Sequence, residues 1–551
     1  MATLVESEND KFKSHLSENQ IIVPSYLHYD GLSGFQDYGI IGFKIKQKII
    51  NLWRQCFLVE DEMDEIETPI IMPHCVLKAS GHVDRFSDYV VKMLDGTEIR
   101  ADHLVKTHMK AHSSAYLKEV DSWDSKQLEK YINDNQLTGQ QSEVKSKKLM
   151  YKLSDNEYMR PELAQGIFVN FGQIFARKNK LPFAVAQIGK SYRNEISPKQ
   201  FLRLREFTQA EIEYFFDPSE TQHLKFKTVS NQQLPLLSAK QQLNGQPIIL
   251  LSAQQAIDEN YLKNEIFSYY LAKIYQFALN IGLSKDKIRF RQHLQNEMAH
   301  YSSDCWDLEC LIDDDWVECV GCANRQDYDL RSHSQRSSFA IKRKEIESIH
   351  YSLKLDIKQL SKTFKTKTAT ITEYLKTLKY DDPSHLPKTL VITVNDEQFT
   401  IENTMYSPLK VIQYKEFYPY VIEPSFGIDR LMYAVLNHNF HLRQEDTNRI
   451  VMTLNKNVAP YQVAVFQLSN KEELIEYTLK IKNILKSDGL TCFTDLSSTA
   501  IGKRYVRADE IGIPTAITID FETIKDNAVT VRNRDTKEQI RIPISQLLHT
   551  I

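Results

Sequence analysis

Between Phe183 and Phe215 the chain concentrates residue types able to do chemistry. Two runs of alternating character flank the turn-like string Asn194-Glu-Ile-Ser-Pro198, which predicts an antiparallel hairpin. Successive side chains of a strand point to opposite faces. On the first run Gln187, Gly189, Ser191 and Arg193 share one face, with Ala186, Ile188 and Tyr192 on the other. On the second, Arg203, Arg205, Phe207, Gln209, Glu211 and Glu213 line one face, with Leu204, Thr208, Ala210, Ile212 and Tyr214 opposite. A solvated sheet face with cross-strand ion pairs is the usual outcome of such a pattern. The content of this face argues against it. Guanidinium groups grip phosphate bidentately, an aromatic ring offers a nucleobase a stacking surface, and carboxylates hold an ammonium group. A site taking a nucleotide beside an amino acid needs that combination.

Other elements must hold this hairpin in place. Ile45, Ile49, Leu52, Trp53, Cys56 and Phe57 recur at helical spacing behind the Gly-punctuated stretch Gly31 to Gly42, and predict a long amphipathic helix. Ile66 to Pro73 then reads as a strand ended by proline, with Pro69 suggesting an edge. Asn133–Lys148, Thr228–Gln246 and Asp356–Asp382 read as polar insertions, the second as a loop and the third as a Lys/Thr-rich helical element. Near Asn455 to Pro460 the character changes. A strand (Gln462 to Leu468), a helix (Lys471 to Ser487), a strand around Thr491, a basic helix (Ile501 to Ile511) and a strand (Thr515 to Asp520) predict a small α/β domain with a largely parallel sheet.

Bulk properties bound the rest. A chain of 551 residues exceeds one ordinary core, so two or more domains are expected. No apolar run is long enough to span a bilayer, and Met1 to Gln20 lacks the features of a secretory or transit signal. The cytoplasm is the expected location. The net charge of −3 argues against a protein that coats nucleic acid indiscriminately, yet leaves room for a local basic surface. Seven scattered cysteines read as reduced thiols. Cys319 and Cys322 have zinc-ligand spacing, but no second such pair follows, and Trp306, Leu308, Trp316 and Val320 around them suggest packed strands.

Tyr192-Arg-Asn-Glu195 with Arg203-Leu-Arg-Glu-Phe207 resembles motif 2 of the class II aminoacyl-tRNA synthetases. Pro424-Ser-Phe-Gly-Ile-Asp-Arg430 resembles their motif 3, and the long helix with the strand closing at Pro73 resembles motif 1. Ser80-Gly-His-Val-Asp84, Arg100-Ala-Asp-His103, Arg160 to Gly166, Gln187 to Glu195, Glu211-Ile-Glu213, Trp316 to Gly321 and Glu423-Pro-Ser425 narrow the resemblance to the homodimeric glycyl-tRNA synthetases, in order from about Gly31 onward.

That resemblance implies an α/β chain. Its α+β catalytic core would be the class II antiparallel sheet flanked by helices, followed by a C-terminal α/β anticodon-binding domain. The implied division is an N-terminal extension (1–30), a catalytic domain (31–455) with insertions near 107–150, 220–290 and 335–410, and an anticodon-binding domain (456–551). The implied reaction is ATP-dependent attachment of glycine to tRNA(Gly) through glycyl-adenylate, by a homodimer using Mg²⁺. Arg193 would grip the α-phosphate, with Arg430 and Glu195 as its catalytic companions. Phe207 and Arg430 would sandwich the adenine, Arg203 and Glu195 would position the triphosphate and the adenine edge, and Arg325 would contact phosphate. Glu318, and less directly Glu309, would hold the metal. Glu162, Glu211, Glu423 and Ser425 would hold glycine, whose competitors are all larger and can be excluded sterically. Lys503, Arg504 and Arg507 would contact tRNA.

Leu163 stands where many members of that family have threonine, and Asp429 where some have glycine. Two rivals make different demands. A non-catalytic, tRNA-binding paralogue should have lost Arg193, Glu318 or Arg430. A class II synthetase for another amino acid should lack the set Glu162, Glu211 and Glu423. All six residues are present.

Overall fold

The computed structural model describes residues 7–112, 120, 123–337, 343–443 and 446–551. The chain forms two compact units, residues 1–336 with 420–551, and residues 337–419.

The frame of the first unit is a nine-stranded sheet. In chain order its strands are β1 (Asp64–Glu65), β2 (Phe183–Tyr192), β3 (Glu206–Phe216), β4 (Gln233–Leu237), β5 (Ile249–Ser252), β6 (Ile288–Gln292), β7 (Asp304–Ile312), β8 (Asp315–Gln326) and β9 (Tyr420–Gly427). In space they run β5-β4-β6-β7-β8-β9-β3-β2-β1. Neighbours are antiparallel except β4 with β6 and β1 with β2. Strand alternation sorts the faces. Ala210 and Ile212 of β3, Trp306 and Leu308 of β7, and Ile422 and Phe426 of β9 enter the main hydrophobic core. There they share the core with residues of helices α1 (Glu8–Glu18), α2 (Ile40–Trp53), α4 (Glu265–Asn280) and α6 (Ile428–His438). Phe207, Gln209 and Glu211 of β3, Asp307 of β7, and Glu423 and Ser425 of β9 line a cavity instead. Helix α3 (Ala164–Lys178) packs Phe168 and Phe171 against Phe215 of β3. Helix α5 (Tyr328–Arg336) follows β8 directly.

Several expectations are corrected. The amphipathic helix starts at Ile40 and passes into a π-helical stretch, Arg54–Val59, which keeps Cys56 and Phe57 buried. Ile66 to Pro73 is strand only at Ile71–Pro73. The Thr68 carbonyl is drawn out of any ladder by Arg160 Nη1 at 2.8 Å, and Pro69 has no N–H to give. The hairpin pairs up to Tyr192↔Glu206, so residues 193–205 form a long connection bridged at Lys199↔Arg203. Alternation therefore stops short of Arg205, whose guanidinium donates to the Glu195 and Ser33 carbonyls instead. The segment Thr228–Gln246 is not a loop but supplies β4 and a short helix, Ala239–Leu243. Residues 220–290, expected as an insertion, are built into the main sheet and core through β4, β5 and α4. The expected insertion near 107–150 lies partly outside the described residues. Its described part joins a small core with Val91, Ala101, Val105, Leu128 and Ile132.

The N-terminal segment packs tightly onto this frame. Phe12 and Leu16 of α1 are buried, with Phe12 against Tyr433 and Phe440. Helix α2 begins directly against the backbone that leaves α1, at Gln20 and Ile21. A Cβ on Gly42 would lie 1.8 Å from the Ile21 carbonyl oxygen, and one on Gly39 1.9 Å from that of Gln20. Backbone cannot swing aside as a side chain can, so Gly42→Ala is expected to destabilise the first unit by about 3 kcal/mol or more. A thermal denaturation series checks this, with Gly172→Ala as control, since its Cβ would meet nothing within 4 Å.

The C-terminal part holds a five-stranded sheet, with β10 (Val463–Gln467) parallel to β11 (Cys492–Thr494) and β12 (Thr515–Ile519). The antiparallel strands β13 (Ala528–Asn533) and β14 (Gln539–Pro543) extend it. Its helices are α7 (Glu472–Ser487) and α8 (Ile501–Glu510). The second unit has its own core of Leu353, Leu360, Ile371, Leu375, Ile392 and Ile401. Helices Ile357–Phe364 and Thr368–Thr377 fall in the Lys/Thr-rich stretch. Among the described residues, no helix is long and apolar enough to cross a membrane.

Candidate active site

The cavity holds about 280 Å³ and is lined from four strands and the loops beside them. Its most buried part is acidic. Glu162, Glu211 and Glu423 are 7%, 2% and 6% exposed. Each is fixed by specific donors. Glu211 Oε2 accepts the backbone N–H groups of Leu163 and Ala164 at 2.8 and 2.7 Å, at the start of α3, and Oε1 accepts Ser425 Oγ at 3.0 Å. A helix N-terminus suits a carboxylate. The Leu163 contribution comes from its backbone, so leucine makes that hydrogen bond as well as threonine would. Glu162 Oε1 accepts Gln165 Nε2 at 3.0 Å, and Oε2 lies 3.2 Å from His82 Nε2. Glu423 Oε2 accepts Arg325 Nη1 at 2.8 Å.

Burial works against every one of these charges. His82 and Arg325 nevertheless hold the Glu162 carboxyl below the ordinary carboxylate range. Burial, reinforced by the charge of Glu162, raises Glu211, and burial raises Glu423 despite Arg325. The acidic end thus gathers three buried carboxylates around one guanidinium, Arg325, and one imidazole, His82.

The more open part carries cations and an aromatic ring. Arg193 Nε donates to the Pro161 carbonyl at 3.2 Å, and its guanidinium lies 5.3 Å from the centroids of both Phe86 and Phe207. Arg203 Nε lies 3.7 Å from Glu195 Oε2, and both residues line the cavity. Arg430, on the first turn of α6, donates to the carbonyls of Leu202 and Glu318 at 2.8 Å each. These bonds tie motif 3 to the connection before β3 and to β8. The side chains of Arg430 and Glu318 are 32% and 55% exposed, so this rim faces solvent.

Three expectations are corrected. Arg325 does not line the cavity but lies beneath it. It is 1% exposed, bonds Asp329 through Nε and Nη2 at 2.7 and 3.0 Å, and lies over the Tyr301 ring with its guanidinium 3.8 Å from the centroid. Asp329 lies four positions beyond Arg325 across the start of α5, so the local fold turns the guanidinium inward. It serves the buried carboxylates of Asp329, Glu423 and Glu162. Glu309 is likewise turned away from metal. Its two oxygens accept from Arg289 Nε at 2.7 Å and Arg291 Nε at 3.0 Å, and a bulge beside it breaks the register with β8. Arg504 is 2% exposed on the inner side of α8, near the Phe466 ring, and donates to the Asp495 carbonyl. Lys503 and Arg507, four apart on the outer side, remain exposed, with Arg507 bonded to Asp495. Neither Cys319 nor Cys322 belongs to a grouping of three possible metal ligands among the described residues. The only groupings of three possible metal ligands among the described residues are His293-Cys305-Asp307 and Glu211-Glu213-Glu423.

Residues outside the expected set complete the site. Asp307 lines the cavity, held by His293 Nε2 at 2.6 Å. Gln165 links Glu162, Asp329 and His333. Asp429 is buried and joins the three motif regions. It accepts from Lys46 Nζ of α2 and the Thr208 N–H of β3, each at 2.5 Å, and from the Tyr38 hydroxyl. His82 lay in a recognisable string, but nothing in its spacing tied it to Glu162.

Residues 148–439 match the tRNA synthetase class II core domain (G, H, P, S and T), and residues 462–551 match an anticodon binding domain. The glycine--tRNA ligase of Methanocaldococcus jannaschii is 40% identical over 558 residues, covering 95% of each chain. The chain belongs to the glycine--tRNA ligase family. Glycine--tRNA ligase 2 of Saccharomyces cerevisiae is 36% identical, over 100% of this chain and 96% of its own. Among solved structures, prolyl-tRNA synthetase of Giardia lamblia in complex with prolyl-adenylate is similar with a TM-score of 0.54 at 12% identity, over 98% of this chain and 76% of that one. That likeness is one of fold. Within the glycine--tRNA ligase family the chain is a class II core followed by an anticodon-binding domain.

Proposed function

We propose that the acidic end of the cavity receives glycine, that the cationic rim receives ATP, and that the two react there to glycyl-adenylate on the way to glycyl-tRNA(Gly). The gradient of burial along one cavity carries this reading. Its buried end has the carboxylates of Glu162, Glu211 and Glu423. Its open end has Arg193, Arg203, Phe207 and Arg430. Glu162, Glu211 and Glu423 with Ser425 attract the ammonium and crowd the Cα. Phe207 and Arg430 take the two faces of adenine, and Glu195 with Arg203 takes its edge and the triphosphate.

A glycine carboxylate oxygen attacks the α-phosphorus, the bond to the bridging oxygen breaks, and pyrophosphate leaves. The 3′-terminal ribose hydroxyl of the tRNA then attacks the activated carbonyl, and AMP leaves. Arg193 stabilises the charge that shifts onto the α-phosphate oxygens. Positioning and fixed charge carry the rate, without a covalent enzyme nucleophile. Mg²⁺ is usually held by one or two carboxylates together with substrate phosphates. Glu318, exposed on the cavity wall, fits that need, whereas Glu309, engaged by two arginines, does not. When bound, the ion would offset phosphate charge.

On this reading the catalytic part spans 31–455, and the anticodon-binding part spans 456–551, with Lys503 and Arg507 as tRNA contacts. The partner in a homodimer would cover exposed apolar side chains around the motif 1 helix, among them Ile40 and Phe43, which are 71% and 55% exposed. The cytoplasm is the proposed location.

Exchange of labelled pyrophosphate into ATP tests the reading. Exchange with glycine, and none with alanine or serine, is the expected result. Exchange with another amino acid, or with none, would overturn it.

A further inference from the structure

Glu213, two residues beyond Glu211 on β3, is fully buried, and neither of its carboxylate oxygens has a hydrogen-bond partner. One oxygen of Glu213 lies within 4.8 Å of oxygens of both Glu211 and Glu423. Three buried carboxylates thus meet beneath the cavity. Charged and titratable groups approach Glu213 from each packed element: Glu211 on its own strand, Glu423 from β9, Arg325 from β8 and Asp329 from α5. The only cation among them is Arg325, and its guanidinium is already shared between Asp329 and Glu423. A third bare carboxylate there would have neither water nor counter-charge.

Resting on the reading of this cavity as the glycine site, we propose that Glu213 is a neutral carboxylic acid. It donates its proton in a hydrogen bond to Glu423, and so acts as a positioning residue for the carboxylate that meets the glycine ammonium. Glu423 is the better acceptor of its two neighbours. Glu211 already accepts from Leu163, Ala164 and Ser425, while Glu423 accepts from Arg325. Burial, with the charge of Glu423 behind it, keeps the Glu213 carboxyl well above the ordinary range although Arg325 opposes this. The proton resolves two demands. It removes a charge the interior cannot hold, and it fixes Glu423 from the side opposite its approach to substrate. The pair titrates as a unit, so loss of the shared proton in alkali frees both carboxylates to repel each other.

The test compares the wild-type protein with Glu213→Gln and Glu213→Ala, by infrared spectroscopy at neutral pH and by glycine-dependent pyrophosphate exchange across pH. The wild type should display a protonated-carboxyl stretch that is missing from Glu213→Gln. The glutamine amide can donate the same hydrogen bond, so KM for glycine should stay within about threefold, whereas Glu213→Ala should raise it roughly tenfold or more, each with KM for ATP little changed. The wild-type KM for glycine should rise in alkali, and that rise should flatten in Glu213→Gln. An infrared spectrum unaltered by Glu213→Gln would overturn the proposal, as would a glutamine variant as impaired in glycine KM as the alanine one. The infrared result stands even if the wild type fails to exchange with glycine, a failure that would count against the functional reading instead.

Discussion

Replacing Arg193 by alanine is expected to slow glycine-dependent pyrophosphate exchange by roughly 100- to 1,000-fold, the range for removing one preorganised donor from developing charge. The side chain is anchored at one end, through Nε to the Pro161 carbonyl, and held between the Phe86 and Phe207 rings. It therefore arrives at the cavity in a fixed direction, with the rest of its planar fork available to phosphate. Arg193→Lys should recover little, because an ammonium cannot reproduce a bidentate grip. Glycine binding should change less than turnover, since the carboxylates that meet the ammonium are fixed by other partners. A kcat within tenfold of wild type would show that another group carries this charge. Equilibrium unfolding of the same variant separates lost chemistry from lost structure. Only a small change is expected there, because Arg193 has no buried counter-charge to strand.

The second large effect is on stability. Asp429→Ala should destabilise the first unit by about 3–5 kcal/mol, the cost of leaving a buried ion without its partner. Lys46 is 5% exposed, and with Asp429 gone its ammonium keeps Thr208 Oγ1 at 2.7 Å and the face of the Tyr38 ring but no carboxylate bonded to it. The Thr208 N–H and the Tyr38 hydroxyl lose their acceptor as well. Because Thr208 follows Phe207 and Asp429 precedes Arg430, the same change should raise KM for ATP. A paired replacement, Lys46→Met with Asp429→Leu, should restore much of the stability, since apolar substitutes for a buried pair are often neutral or better. It should not restore the KM. The pH dependence follows from the sign of the shift. Burial raises the Asp429 carboxyl, but Lys46, Lys190 and the Tyr38 hydroxyl together outweigh it and leave the folded value depressed. Its stabilisation is then complete at neutral pH and is lost only as pH falls below the unfolded aspartate value of about 3.9 and through the folded one. Acid unfolding of the wild type against the paired replacement reads that contribution. Equal stability of Asp429→Ala and wild type at neutral pH would refute this account of the junction.

What the sequence determined by itself was local and periodic. Alternation along β3 separated Phe207, Gln209 and Glu211 from Ala210 and Ile212, because a strand has only two faces and one of them had to meet the helices. Helical spacing marked α2 for the same reason. The C-terminal alternation of strand and helix was legible because each element carries its own apolar pattern. Ordered motif strings indicated the family, and with it residues such as Glu162 and Arg430 that no periodicity links.

Tertiary structure decided which charges are available. Arg325, Glu309 and Arg504 have the right types on plausible elements, yet each is consumed by a neighbour. Asp329 and Glu423 take the first, Arg289 and Arg291 the second, and the Asp495 carbonyl and inner side of α8 the third. A charge's role depends on its counter-charges and on water, and both are set by residues distant in sequence. The same holds for Glu213. Its position beside Glu211 was readable from alternation, but its isolation from every donor became visible only once β8, β9 and α5 had closed around it.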